Sequence, residues 1–238
     1  MIKSLVLSIQ VFPQFAPQKL SISYVDQIWR HSTQVAHAAR KIALFEKAGQ
    51  QAADDAFTAG LLHDLGKLIL TAEFPEKYRE ALERARAGAL SVTDIEKEVF
   101  GATHGEISAC LLVNWGLPLS LGEAAAYHHH PSRCEGTEFG IVCAVHAADA
   151  LVHETETGND GPPYDPIDER YLAQLGLLGH SQLWREALAP KAPPKPGAQP
   201  EPEMSYIPAR PPKPSDSPSR SSSGATGFFK RLAFWKKG

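Results

Sequence analysis

Apolar positions in the first 189 residues recur at three- and four-residue spacings, and Val, Ile and Phe never alternate with polar residues long enough to make a convincing sheet. The pattern predicts an all-α body. MIKSLVLSIQVF reads as a buried amphipathic helix over about 2–12, stopped by Pro13, and Ser21 and Ser23 are candidate caps for a second helix over about 23–48 that ends near Gly49. A heavily apolar helix follows over 53–70. Pro75 opens a charged helix closed by Gly88, and Ser91 or Thr93 begins the next, which ends before Gly101. His104–Trp115 and Leu119–His129 are expected as helices, stopped at Gly116/Pro118 and Pro131. An Ala-rich helix, Phe139–His153, is expected at the centre. The loop TGNDGPPYDP then leads to two short helices near 167–174 and 180–188.

From Pro190 the pattern stops. Residues 190–238 hold 11 of the 19 prolines and nine Lys+Arg against three Asp+Glu, so this tail carries +6 while residues 1–189 carry −9. PKAPPKPGAQPEPE and PARPPKPSDSPSRSSSG cannot form a helix interior and offer little to bury. The expected organisation is a helical domain over 1–189, a disordered Pro/Ser-rich linker over 190–226 and a basic-aromatic motif over 227–238. In that last segment Phe228, Leu232 and Trp235 share a helical face beside Lys230, Arg231, Lys236 and Lys237. It reads as an anchor for an anionic membrane surface, as a helix for a partner's groove, or as a sticky end without a role.

Charge and cysteines narrow the class. An acidic body argues against a nucleic-acid surface. No apolar run approaches the ~20 residues of a membrane-spanning helix. Cys110, Cys134 and Cys143 are odd in number and show no CxxC spacing, so reduced thiols in a cytoplasmic protein are expected. Peripheral contact with the inner membrane surface would come only through 227–238.

Histidines carry the chemistry. His31 sits in WRHS, His63 and Asp64 in GLLHDLGKL, His104 in GATHGEI, His128 and His129 in AYHHHP, and Asp149 in HAADAL. Imidazole and carboxylate suit Fe, Mn, Zn and similar divalent ions. On a helix an adjacent His-Asp pair diverges by about 100°, so it can bind one ion or bridge to a neighbour. Two ions ~3.5–4 Å apart can clamp a phosphoryl group. Against this, single histidines are usually hydrogen-bonded core residues. His37, His146, His153 and His180 are read that way, and His130 as the exposed member of its run. The order H, HD, H, HH, D is what favours one shared metal site.

That order resembles the HD superfamily of metal-dependent phosphohydrolases. IWRHS, AGLLHDLGKLIL, VFGATHGEISACLLVNWGLP, AAAYHHHP and AVHAADAL are more closely similar to the HDOD domain of bacterial signalling proteins, over about residues 1–152. The resemblance implies an all-helical HD-type fold and a signalling output module that acts through a protein partner. It implies a first metal on His31, His63, Asp64 and Asp149, with His104, His128 and His129 standing where related HD-GYP phosphodiesterases complete a two-metal site. Asp64 would bridge the ions, and Lys67 occupies the lysine of the HDxGK motif, where it would meet a substrate phosphate. The same lysine reads equally well as a snorkelling surface residue.

Three departures matter. SRCEG follows AYHHHP in place of the GYP signature, so cyclic-di-GMP hydrolysis is not implied. Gln27 stands where some relatives place a metal-binding Glu, which argues against a third ion. The helices that usually precede MIKSLVLSIQVF in HDOD domains are missing, so the start of the protein is expected upstream or the chain is a shortened form. Two functions stand: a signalling module with a retained metal site, and a metal-dependent phosphohydrolase of a nucleotide or cyclic nucleotide with Asp64 and Lys67 as catalytic residues.

Overall fold

The computed structural model describes residues 22–88, 90–156 and 165–189. The helix expected over 2–12, the linker 190–226, the motif 227–238 and most of the TGNDGPPYDP loop lie outside these residues. Among the described residues there are ten α-helices, one 3₁₀ turn and no strand.

The long helix α1 (Ile22–Phe45) buries Ile28, Val35, Ala39 and Ile42, which recur every three, four or seven residues and so form one stripe. The stripe packs on α2 (Gln50–Leu62) and on α8 (Ile141–Thr155). Small residues let these backbones come close. Ala53, Ala56 and Ala59 of α2 are fully buried, and a Cβ at Gly60 would press on the backbone of Ala36. Every residue of α8 from Val142 to Val152 is buried, so it is the central helix that its Ala-rich sequence predicts.

The segment 53–70 is not one helix. It breaks at the His-Asp pair: α2 ends at Leu62, Asp64 sits at φ −100°, ψ 10°, and α3 starts at Leu65 (Leu65–Glu73). The cause is a contact with α6 (His104–Asn114). Gly66 lies so close to the start of α6 that a Cβ there would overlap the His104 carbonyl oxygen, and its N–H donates to Ser108 Oγ at 2.8 Å. His63 and Asp64 therefore occupy a bend and are not spaced by 100° around a single helix.

Around α3 the charged α4 (Pro75–Arg86) and α5 (Val92–Phe100) close a second apolar cluster of Leu70, Tyr78, Ala81, Ala85 and Ile95. Ser91 caps α5 by accepting from the Asp94 N–H, and Gly101 ends it at φ 75°, a left-handed position glycine adopts without strain. Thr103 and Glu106 form a capping box that fixes the first turn of α6, where His104 sits. Helix α7 (Leu119–Tyr127) packs on α2, α6 and α8 and delivers His128 at its end, followed by the 3₁₀ turn Pro131–Arg133. After α9 (Glu169–Gln174), α10 (His180–Leu188) returns to α1. There the buried Trp184 donates its Nε1–H to Glu46 at 2.8 Å, and His180 Nδ1 meets the same carboxylate at 2.9 Å.

Away from the centre, His37 and His130 differ from expectation. His37 is exposed, its ring edge-on to Phe57, because it lies on the outer face of α1. His130 is half-buried, 3.5 Å from Thr93 Oγ1, because α5 covers it. His146 is the hydrogen-bonded core residue expected, joining the His128 carbonyl to the Asp168 N–H. All three cysteines are free. Among the described residues no helix is long and apolar enough to cross a membrane.

Candidate metal centre

Five separate stretches of chain converge around Asp64. His31 comes from the middle of α1, His63 and Asp64 from the α2–α3 bend, and His104 from the start of α6. His128 and His129 follow α7, and Asp149 lies on α8. His31, His63, Asp64, His104, His128 and Asp149 are all buried, and His129 is half-buried.

Asp64 sits between two groups of imidazoles. Its Oδ2 lies 3.4 Å from His63 Nε2 and 3.9 Å from His31 Nε2. Its Oδ1 lies 3.3 Å from His104 Nε2 and 3.9 Å from His128 Nε2. Asp149 Oδ1 is 2.9 Å from His31 Nε2 and 3.6 Å from His63 Nε2. The second group is tighter still: His104 Nε2 is 3.1 Å from His129 Nε2 and 3.4 Å from His128 Nε2.

What each ring does with its other nitrogen determines what these distances mean. His63 Nδ1 donates to the Gly60 carbonyl and His128 Nδ1 to the Ala125 carbonyl, both at 2.7 Å. A carbonyl can only accept, so both Nδ1 atoms carry protons and a neutral ring presents a lone pair at Nε2. His104 Nδ1 meets Glu96 Oε2 at 2.7 Å, and His31 Nδ1 meets Glu156 Oε2 at 3.0 Å. His129 Nδ1 lies 3.0 Å from Asp165 but is not aligned for a hydrogen bond. Outward Nδ1–H and inward Nε2 is the arrangement of metal-ligating histidines.

The interior is therefore crowded with electron pairs. Nε2 atoms face one another at 3.1 and 3.4 Å, and His63 Nε2 and Asp64 Oδ1 are buried with no hydrogen-bond partner. Buried polar atoms without partners are costly, and a cation among them resolves the deficit. The residues present fit divalent ions. His31, His63, Asp64 and Asp149 would hold one, and His104, His128 and His129 with Asp64 would hold another. His104, His128 and His129, and separately His31, His63 and Asp64, offer ligand atoms within 4.8 Å of one another.

Electrostatics agree. Burial would raise the carboxyls of Asp64 and Asp149, but the imidazoles and Lys67 around Asp64, and the hydrogen bonds Asp149 accepts from neighbouring imidazoles, His31 first, hold both well below the usual range. Burial pushes His128 and His129 well down, which keeps them neutral and able to ligate. His31 is the exception. Burial would lower it, yet Asp149 and Glu156 raise it to about 9, so a proton there competes with an incoming cation. Lys67 donates to Asp64 Oδ2 at 2.7 Å, and its side chain keeps 18% of its surface exposed. The Asp64 and Asp149 carboxylates hold its ammonium charged against the effect of burial.

Glu96, Glu156 and His153 belong to this site, although the sequence pattern did not single them out. Glu96 is fully buried and accepts from the backbone N–H and Nδ1 of His104 and from the Tyr78 hydroxyl. Its signal, an acid inside the amphipathic helix α5, is indistinguishable in sequence from Asp94 and Glu98 on the same helix. His153 is not a plain core residue: it lies over the site, one turn after Asp149.

Comparison with known proteins follows the same lines. A family model for the HDOD domain matches residues 1–131. A crystal structure of an HDOD domain protein of unknown function from Geobacter sulfurreducens superposes with TM-score 0.57 at 23% identity, covering 79% of this chain and 60% of that one. One from Shewanella amazonensis SB2B, provisionally named a phosphohydrolase, gives TM-score 0.58 at 21% identity, covering 79% and 66%. At these identities the likeness concerns the fold. A ribonuclease Y of Thermus thermophilus is 34% identical over 156 residues, which are 66% of this chain and 21% of that protein. The chain spans less than a third of the curated relatives it matches.

Proposed function

The chain belongs to the HDOD domain family, and from that premise we propose that it is a signal-transduction module whose helical body binds one or two divalent ions and which acts through a protein partner. The observation that supports metal binding most strongly is the inward convergence of lone pairs. Five imidazoles and two carboxylates turn ligand atoms inward in two groups that meet at Asp64, and two of those atoms are buried without a partner. When bound, ions there would supply Lewis acidity and a lowered water pKa. The chain's own contribution is to fix tautomers through Glu96, Glu156 and the Gly60 and Ala125 carbonyls, and to hold Asp64 between the two groups.

A second reading, phosphodiester hydrolysis, is favoured by Lys67. Pinned to Asp64 and open to solvent on one side, it places a fixed positive charge where a phosphate could approach. Ribonuclease Y, by its name, acts on RNA, so a phosphodiester is the substrate class this reading carries. The −9 balance of residues 1–189 favours a small nucleotide over a long polyanion.

Metal analysis of the purified chain, paired with a phosphodiesterase panel in Mn²⁺, Fe²⁺ and Ni²⁺, tests both. The signalling reading expects at least one equivalent of metal without turnover, and a partner recovered by pull-down. The hydrolase reading expects turnover that Asp64→Ala abolishes while helicity survives. Metal at background, with Asp64→Ala indistinguishable from wild type, would remove the site altogether.

A further inference from the structure

Helix α8 carries two groups toward the centre. Asp149 and His153 are four residues apart, so they share a face. His153 Nε2 lies 3.5 Å from Asp149 Oδ1. Its ring is stacked on His31, with centroids 4.3 Å apart. Both rings turn the same way because one carboxylate faces them both. Glu156, which follows the last turn of α8, lies 3.0 Å from His31 Nδ1 and 3.6 Å from His153 Nδ1. Each ring is thus drawn outward at Nδ1 and left with Nε2 toward Asp149. His31, Asp149 and His153 together offer three ligand atoms within 4.8 Å of one another. His153 is the most exposed of the three, with 28% of its side chain in contact with solvent, so it covers the outer side of the group.

We propose that His153 is a further ligand of the ion held by His31, His63, Asp64 and Asp149, with Glu156 as the residue that orients both His31 and His153. This rests on the metal-binding reading and sharpens it. A fifth protein ligand on the solvent side takes the position a water molecule would use. Mn²⁺ takes about six ligands, so five protein groups leave it one position for water where four leave two. His153 thus restricts water at the first ion, and exchanging it opens that ion further to solvent.

The full-length chain and Mn²⁺ alone suffice to test this. Mn²⁺ affinity is measured by calorimetric titration, and the access of water to bound Mn²⁺ by water-proton relaxation. In His153→Ala the relaxation enhancement per bound ion should rise by the contribution of one extra inner-sphere water, and affinity should fall at least about 10-fold, because even the outer partners of metal ligands cost that much when lost. Glu156→Gln, which keeps shape and removes charge, should weaken Mn²⁺ binding without the rise in relaxation, because the ring stays in place. Circular dichroism shows whether each variant retains its helices. Wild type that binds Mn²⁺ while both variants match it in affinity and relaxation would overturn the role of His153 alone. Wild type that fails to bind Mn²⁺ would overturn the metal reading itself and this inference with it.

Discussion

Each imidazole at the centre is specified by a different partner at Nδ1, and the partners are not equivalent. Gly60 and Ala125 offer backbone carbonyls that no side-chain substitution removes. Glu96 and Glu156 offer carboxylates, which also add negative charge behind the ring and raise its basicity as a ligand. Glu96 is the more tightly built, because its oxygens also receive the His104 backbone N–H at 2.8 Å and the Tyr78 hydroxyl at 3.1 Å. His104 holds its carboxyl below the ordinary value although burial works the other way. Glu96→Gln keeps the shape and loses that charge. It should weaken metal binding about 10-fold with little change in helicity, measured by calorimetric titration. Unchanged affinity would mean that Glu96 serves only to satisfy the first turn of α6.

At the scale of elements, the bend between α2 and α3 does most to build the site. A continuous helix over 53–70 would send His63 and Asp64 in directions about 100° apart. The bend turns both inward, with His63 Nε2 and Asp64 Oδ2 3.4 Å apart. Its geometry depends on Gly66, whose missing Cβ lets the start of α3 meet the start of α6 and so brings Asp64 to His104. Gly66→Ala must push two backbones apart. The expected cost is about 3 kcal/mol, at the upper end for overpacking, because a carbonyl oxygen yields less readily than a side chain. Chemical denaturation would measure it, and a loss below about 0.5 kcal/mol would show that the bend does not depend on this contact. The bend could not be read from the sequence. GLLHDLGKLIL keeps its helical spacing of apolar residues straight through it, and the contact that breaks the helix lies 42 residues away at Ser108. By contrast, the start of α5 at Ser91 and its end at Gly101 were legible, because caps are local chemistry.

For the whole molecule, the centre joins α1, the α2–α3 bend, α6, the end of α7 and α8, so an ion bound there links helices far apart in sequence. Metal should therefore stabilise the entire body. At an ion concentration a hundredfold above Kd the gain is about 2.7 kcal/mol, roughly 5–10 °C in Tm for a body of this size. Stripping the loaded protein with a chelator should lower Tm by that amount in a thermal melt, and an unchanged Tm would argue against a bound ion. The chain by itself determined the helical class, most helix ends, and the ordered set from His31 to Asp149, because periodicity, caps and residue types are written locally. Only the tertiary structure decided that Asp64 stands between two groups of imidazoles, that Glu96 and Glu156 set their tautomers, and that His153 lies over the site rather than in an ordinary core. Those facts depend on distances between segments as much as 125 residues apart, His31 and Glu156 among them. Such distances arise from how Ala- and Gly-lined helices pack, which no local pattern encodes.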